Sequence, residues 1–205
     1  MAGIITRDKE KLMPNLTQFY QQFTNDLSRA NRFEVFIPPP GIINQYYNNI
    51  PYLTYRCEAA QLPGRHLTTV NQKTFGPYEK FPVHTTYNDI DLTFIVDGNM
   101  TARNIFDAWI DYINPASSNN FRYRQEYETT ITVNQYSVDD KMIYQSNLYE
   151  AYPVSINQLD LDWSSEGYHK LTVTFAYTYW RNAKAKDASY INVQPGNLSS
   201  VQEWY

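Results

Sequence analysis

Cysteine occurs once in these 205 residues, glycine seven times and histidine three times, and each scarcity removes a class of chemistry. A single cysteine, Cys57, excludes an intrachain disulfide framework and a cysteine-rich zinc site, and it suits a reducing compartment. His66, His84 and His169 stand in no ligand-spaced pair, so no metal is expected. So few glycines leave no room for a glycine-rich phosphate loop, and no nucleotide cofactor is expected either. Seventeen Lys and Arg against twenty-one Asp and Glu leave a formal charge of -4, which argues against holding nucleic acid by counterion release. No apolar run approaches the roughly 20 residues of a membrane span. The opening "MAGIITRDKEKLMPN" places charges and a proline where a secretory signal needs an apolar run. No membrane anchor is therefore expected.

What is abundant is aromatic: 16% of the chain, led by nineteen tyrosines. Tyrosine favours pleated, half-buried surfaces and protein interfaces, so a mostly β fold with extensive partner contact is expected. Three parts are read along the chain. Residues 1–30 form a helical segment, in which Leu16, Phe19, Tyr20, Phe23 and Leu27 recur at helical spacing behind Asn15. Residues 31–180 form the β domain, and residues 181–205 a polar extension without period. Within the domain, "NRFEVFIPPP" reads as a first strand and "YLTYRCEAA" as a second, with Leu53, Tyr55, Cys57 and Ala59 on its apolar side. Pro63-Gly64 has the composition of a type II turn, sending the chain into "HLTTVNQKTF" and "KFPVHTTY". "DIDLTFIVD" follows as a strand. "TARNIFDAWIDYINP" reads as a helix capped by Thr101, with Ile105, Phe106, Trp109, Ile110 and Ile113 as one stripe. "TTITVNQYS", "KMIYQSNLYEAY", "SINQLDLDW" and "YHKLTVTFAYTYW" complete the strands, the second and third separated at Pro153.

Catalytic candidates are few. Cys57 with His66 is the one nucleophile and base within short sequence reach, the pattern of a small cysteine hydrolase. Its strand register, however, turns Cys57 inward like an ordinary core thiol. Asp89 with Asp91 and Asp160 with Asp162 are carboxylate pairs two residues apart on one strand face, which suits a solvated face better than a glycosidase cleft. "FRYRQEYE" interleaves arginines with aromatics, but Glu126 and Glu128 cancel its charge, and it reads as a surface segment. No constellation supports an enzyme.

Four stretches, "NRFEVFI", "YRCEAAQLPGR", "TYNDIDLTFIVDGNMTARNIFDAWIDYI" and "AYPVSINQLDLDWSSEGYHKLTVTFAYTYW", follow one another across residues 31–180. In that order and spacing they resemble the tail tube protein of contractile-tailed bacteriophages. The resemblance implies a mostly β (α+β) fold, a β-sandwich or barrel with one packed helix, related to the ring protein of bacterial type VI secretion. It implies a structural protein of the virion tail, assembled in the host cytoplasm, whose copies close into stacked hexameric rings and form a tube. A tail sheath protein surrounds that tube and baseplate proteins adjoin it. The tape measure protein and DNA pass through its lumen without specific binding. Beside that resemblance, alternation places Gln158, Asp160 and Asp162 on one strand face, a candidate acidic lining of the lumen. Pro63, Gly64, Arg65, His66, Thr68, Lys73 and Phe75 mark a candidate hairpin reaching an adjacent subunit. The alternatives are a baseplate tube initiator, the tube of a phage-like secretion or bacteriocin device, and the cysteine hydrolase.

Overall fold

Strict alternation builds the centre of the molecule. In β5 (Ile90–Ile95) the alternate residues Ile90, Leu92 and Phe94 are buried, while Asp91, Thr93 and Ile95 are half-buried. β8 (Lys170–Ala176) answers with Leu171, Val173 and Phe175, all fully buried, and the antiparallel register sets Leu92 opposite Val173 and Phe94 opposite Leu171. The computed structural model describes residues 27–38, 40, 41, 43, 50–73, 75–164 and 166–183. The expected helix behind Asn15 and all of the C-terminal extension beyond residue 183 lie outside the described residues.

The other elements are β1 (Phe33–Phe36), α1 (Ile50–Arg56), β2 (Cys57–Ala60), β3 (His66–Gln72), β4 (Glu79–Thr86), α2 (Thr101–Ile113), α3 (Arg124–Tyr127), β6 (Thr129–Tyr136), β7 (Met142–Ile156) and β9 (Tyr179–Asn182). Seven strands form one antiparallel sheet in the order β1-β6-β7-β8-β5-β2, with β9 added to β7; β3 and β4 form a separate two-stranded sheet. The 15-residue β7 joins two arms: its first part pairs with β6 and β9, its last part with β8. Between them Glu150 adopts φ 59°, a left-handed conformation that a non-glycine residue holds only under restraint. Arg124 supplies that restraint, donating to the Glu150 carbonyl at 3.3 Å and pairing with its carboxylate at 3.2 Å, and it also donates to the Thr178 hydroxyl. Pro153, expected to end a strand, instead sits inside β7 beside a register shift, a position where strands tolerate proline.

α2 buries Ala102, Ile105, Phe106, Trp109 and Ile113, with Ile110 half-buried at the margin. The Phe106 ring lies 5.1 Å from Phe94 and 5.9 Å from Phe175, so the helix is seated on β5 and β8. The Trp109 indole N–H donates to the Tyr127 carbonyl at 3.0 Å, which ties α3 beneath the same helix. Both arms and α2 contribute to a single core cluster that includes Val35, Ile131, Val133 and Leu148.

Thr101 does not cap α2; Asp97 does. Its carboxylate accepts the Thr101 backbone N–H at 2.7 Å and the Thr101 hydroxyl at 2.9 Å, reaching across Met100 at φ 55°. Burial disfavours the charge, but these hydrogen bonds outweigh it and hold the Asp97 carboxyl below the usual range. A depressed native pKa means that the folded state favours ionised Asp97. Its contribution is therefore full above about pH 4 and fades as pH falls through the lower native value. Asp97→Ala should lower the thermal midpoint at pH 7, and the gap from wild type should close on acidification; a gap that widens would contradict the cap.

Three further expectations give way. "YLTYRCEAA" is not one strand, because residues 50–56 are α1 and only Cys57–Ala60 are extended. Leu53 and Cys57 stand four apart, a spacing that puts them on one face in either conformation. Tyr55 decides, since a strand would turn it inward with Leu53, whereas it is 82% exposed and Leu53 is 1% exposed. Gly64 is not among the positive-φ residues, so Pro63-Gly64 is not a type II turn and residues 61–65 run on irregularly; the positive φ belongs to Gly76, at 90°. Finally, "YHKLTVTFAYTYW" splits at Tyr177-Thr178 into β8 and β9, and β9 runs to Asn182.

Candidate assembly surfaces

The β3–β4 hairpin stands off the body with nearly every side chain exposed. Its register pairs Val70 with Phe81, Asn71 with Lys80 and Gln72 with Glu79, with a shift between Thr68 and Thr69. Alternation puts His66, Thr68, Val70, Phe81 and His84 on one face and Leu67, Thr69, Asn71 and Lys80 on the other. Leu67, Val70, Phe81 and Val83 are about half exposed, and Phe75 at the tip is 98% exposed. A two-stranded ribbon with both faces in water is marginal by itself. Apolar side chains exposed together on such a ribbon make it a candidate contact surface.

The root of the hairpin is tied to the body of the domain. Pro63 is buried, the Gly64 carbonyl accepts the Trp180 indole N–H at 3.0 Å, and the Arg65 guanidinium lies 5.3 Å from the Trp180 ring and 5.7 Å from Tyr87. Asp91 donates its N–H to the Gln61 side chain, and Lys170 pairs with Glu58 at 2.6 Å, pinning the strand that leads in. Beyond this clamp, Thr68 is half-buried, His66 is exposed, and Lys73 sits 5.1 Å from the Tyr78 ring near the tip. The residues singled out from sequence thus fall on one continuous element, with Pro63, Gly64 and Arg65 at its root and His66, Thr68, Lys73 and Phe75 along it.

The second surface is the connection from β7 to β8. "SINQLDLDW" was expected as a strand with Gln158, Asp160 and Asp162 on one face. Only Ser155 and Ile156 belong to a strand, and residues 157–162 form a loop. β7 and β8 pair directly with each other, and the segment between them connects the two without pairing to a further strand. Asn157 anchors its start, donating its backbone N–H to Thr172, accepting the Thr172 N–H at 2.8 Å and offering its carbonyl to Arg103 at 2.8 Å. His169 closes the loop through its carbonyl, which accepts the Val96 N–H at 3.1 Å. Asp162 accepts the Ser164 backbone N–H and hydroxyl, and these two bonds hold its carboxyl below the usual range. Leu161 and Trp163 are as exposed as the carboxylates, around a hollow of about 300 Å³ that Asp160, Gly167 and His169 also line. The sequence alternation of charged and apolar residues does not become two faces, and the exposed Trp163 went unforeseen for that reason.

Cys57 is not poised for catalysis. Burial pushes its thiol up to about 12, against a weaker opposing effect of its hydrogen bond to the Ala59 carbonyl. It packs against the core, while His66 begins the hairpin beyond the 61–65 segment. A thiol so held supplies no thiolate near neutrality. Among the described residues, no group of three or more His, Cys, Asp or Glu is placed to hold a metal ion, and no helix is long and apolar enough to cross a membrane.

A family model described as phage tail tube protein matches residues 28–183. Comparison with curated proteins gives no significant match. Among solved structures, a chain of the anti-feeding prophage baseplate aligns with a TM-score of 0.56 and 17% identity, over 77% of this chain and 96% of that one. A chain of an extracellular contractile injection system, from the PVC sheath-tube complex in its extended state, aligns with a TM-score of 0.55 and 16% identity, over 80% of this chain and 95% of that one. A chain from the sheath/tube terminator of the PVC system gives 0.56 and 16%, over 78% and 98%. At these identities the likeness is one of fold.

Proposed function

Because the chain belongs to the phage tail tube protein family, we propose that it is the repeating tube subunit of a contractile tail, closing into hexameric rings that stack around a channel for the genome. It is a structural tail tube protein rather than an enzyme. The observation that carries the finer reading is the β3–β4 hairpin, clamped at its root by Trp180 and Arg65 yet exposing Leu67, Val70, Phe75 and Phe81. A neighbouring copy is the partner that every subunit of a tube has in supply, and head-to-tail contacts of this kind propagate naturally along a stack.

The loop over residues 157–169 serves the same assembly. A lining that lets DNA slide past needs repulsive or neutral polar groups, and fully exposed Leu161 and Trp163 beside Asp160 and Asp162 do not make one. We therefore place Gln158, Asp160 and Asp162 at a contact between copies instead of in the lumen. An outer sheath belongs to the same reading, since one similar chain comes from a sheath-tube complex.

The test is electron microscopy of the purified full chain over a range of concentrations. Closed rings that stack into hollow tubes are expected. Rings that form without stacking would indicate the tube initiator at a baseplate instead, and monomers at every concentration would refute the proposal.

A further inference from the structure

The β3–β4 hairpin and the loop over residues 157–169 leave the domain at opposite ends of the same strands. The legs of the hairpin join the sheet at Ala60, the last residue of β2, and at Ile90, the first of β5. The loop joins at the other end of β5, where Ile95 stands opposite Lys170 and the Val96 N–H donates to the His169 carbonyl. The six residues of β5 separate the two roots. At the rise of an antiparallel strand that is about 17 Å.

The two surfaces differ in sign and are alike in carrying apolar groups into water. The hairpin tip, residues 73–80, exposes Phe75 and Tyr78 and carries Lys73 and Lys80 against a single acid, Glu79. The loop exposes Leu161, Trp163 and Tyr168 and carries Asp160, Asp162 and Glu166 with no lysine or arginine. Among the described residues, Lys73, Lys80, Asp160 and Glu166 enter no ion pair. We infer that these are the two halves of one contact between copies, in which the hairpin tip of one subunit seats on the 157–169 loop of the next. Phe75 enters the hollow of about 300 Å³ that Leu161 and Trp163 line, and Lys73 and Lys80 lie beside Asp160 and Glu166.

The pairing rests on the tube reading and adds to it the surface on which the hairpin lands. An aromatic side chain seated in a partner's hollow is the usual anchor of a protein contact, and Phe75 at 98% exposure has no such seat in its own subunit. Charge selects the arrangement. Hairpin against hairpin would bring lysines together and loop against loop would bring carboxylates together, whereas hairpin against loop joins opposite signs. Position agrees with charge, because a contact between opposite ends of a subunit repeats from copy to copy, head to tail.

The test uses the full chain with charges reversed. Lys73→Glu with Lys80→Glu makes the hairpin tip acidic, and Asp160→Lys with Glu166→Lys makes the loop basic. Asp162 is kept because it holds Ser164. All four substituted side chains are exposed, so both variants should melt close to wild type by circular dichroism. In sedimentation velocity, each variant alone should need a concentration higher by roughly tenfold or more to assemble. An equimolar mixture of the two should assemble near the wild-type concentration, because every hairpin then meets a loop of opposite sign. A chain carrying all four changes should do the same. Reversals that leave assembly unchanged, or a loss that neither the mixture nor the fourfold variant restores, would overturn the pairing while wild-type assembly upholds the tube reading. A wild type that assembles at no concentration would refute the tube reading and the pairing with it.

Discussion

Replacing Val70 and Phe81 together by aspartate should abolish ring and tube formation while leaving the subunit folded. The two residues face each other across the β3–β4 register and lie on one face of a hairpin whose side chains are nearly all exposed among the described residues. Each is about half exposed, so the substitution removes little from the core. In an assembly that covers this face, the same change buries two carboxylates without partners. An unpaired charge in a desolvated contact costs several kcal/mol, and every 1.4 kcal/mol is a tenfold loss of affinity. Repeated at each contact around a ring, that loss is decisive. Circular dichroism should give a melting curve close to wild type, and sedimentation velocity should give a monomer. Tubes formed by the doubly substituted protein at wild-type concentration would remove the hairpin from the assembly.

Phe106→Ala should destabilise the fold by about 3–5 kcal/mol, as for other fully buried aromatic side chains. Its ring is fully buried and contacts Phe94 of β5, Phe175 of β8 and Trp109 of its own helix, so the cavity opens where three elements meet. Rigid neighbours on all sides cannot collapse into it. Against a typical total of about 5–15 kcal/mol, such a loss takes a large fraction of the stability. Ile110→Ala, on the half-buried margin of the same helix, should cost clearly less. Denaturant unfolding of the two variants measures the contrast, and equal costs would mean that α2 is not seated as described.

The reading of α2 from sequence succeeded because its stripe Ile105, Phe106, Trp109 and Ile113 has only one regular interpretation, and β5 and β8 were legible for the same reason at period two. α1 was hidden because Leu53 and Cys57 satisfy both periods, leaving Tyr55 and Pro51 as the only discriminating signals. Proline in the first turn of a helix was the clue available. The loop over 157–169 misled in the opposite sense. Its alternation is real, but a strand needs a partner to pair with, and pairing is a property of the whole topology that no local window contains. The Asp97 cap was missed because the capping carboxylate lies four residues before the position it serves, across a left-handed Met100. The hairpin was legible as a hairpin, and its polar β-formers suggested a surface role. What sequence did not reveal is that neither face is covered by the other described residues, which is why the proposed contact is placed there.

The most direct measurement is a reconstruction of the assembled tube by cryo-electron microscopy. The account predicts rings with hexameric symmetry around an open channel, in which the hairpin of each subunit, from His66 to Thr86, lies against a neighbouring copy with Val70 and Phe81 covered. Rings whose hairpins project freely into solvent, with the subunit contacts made entirely elsewhere, would contradict it.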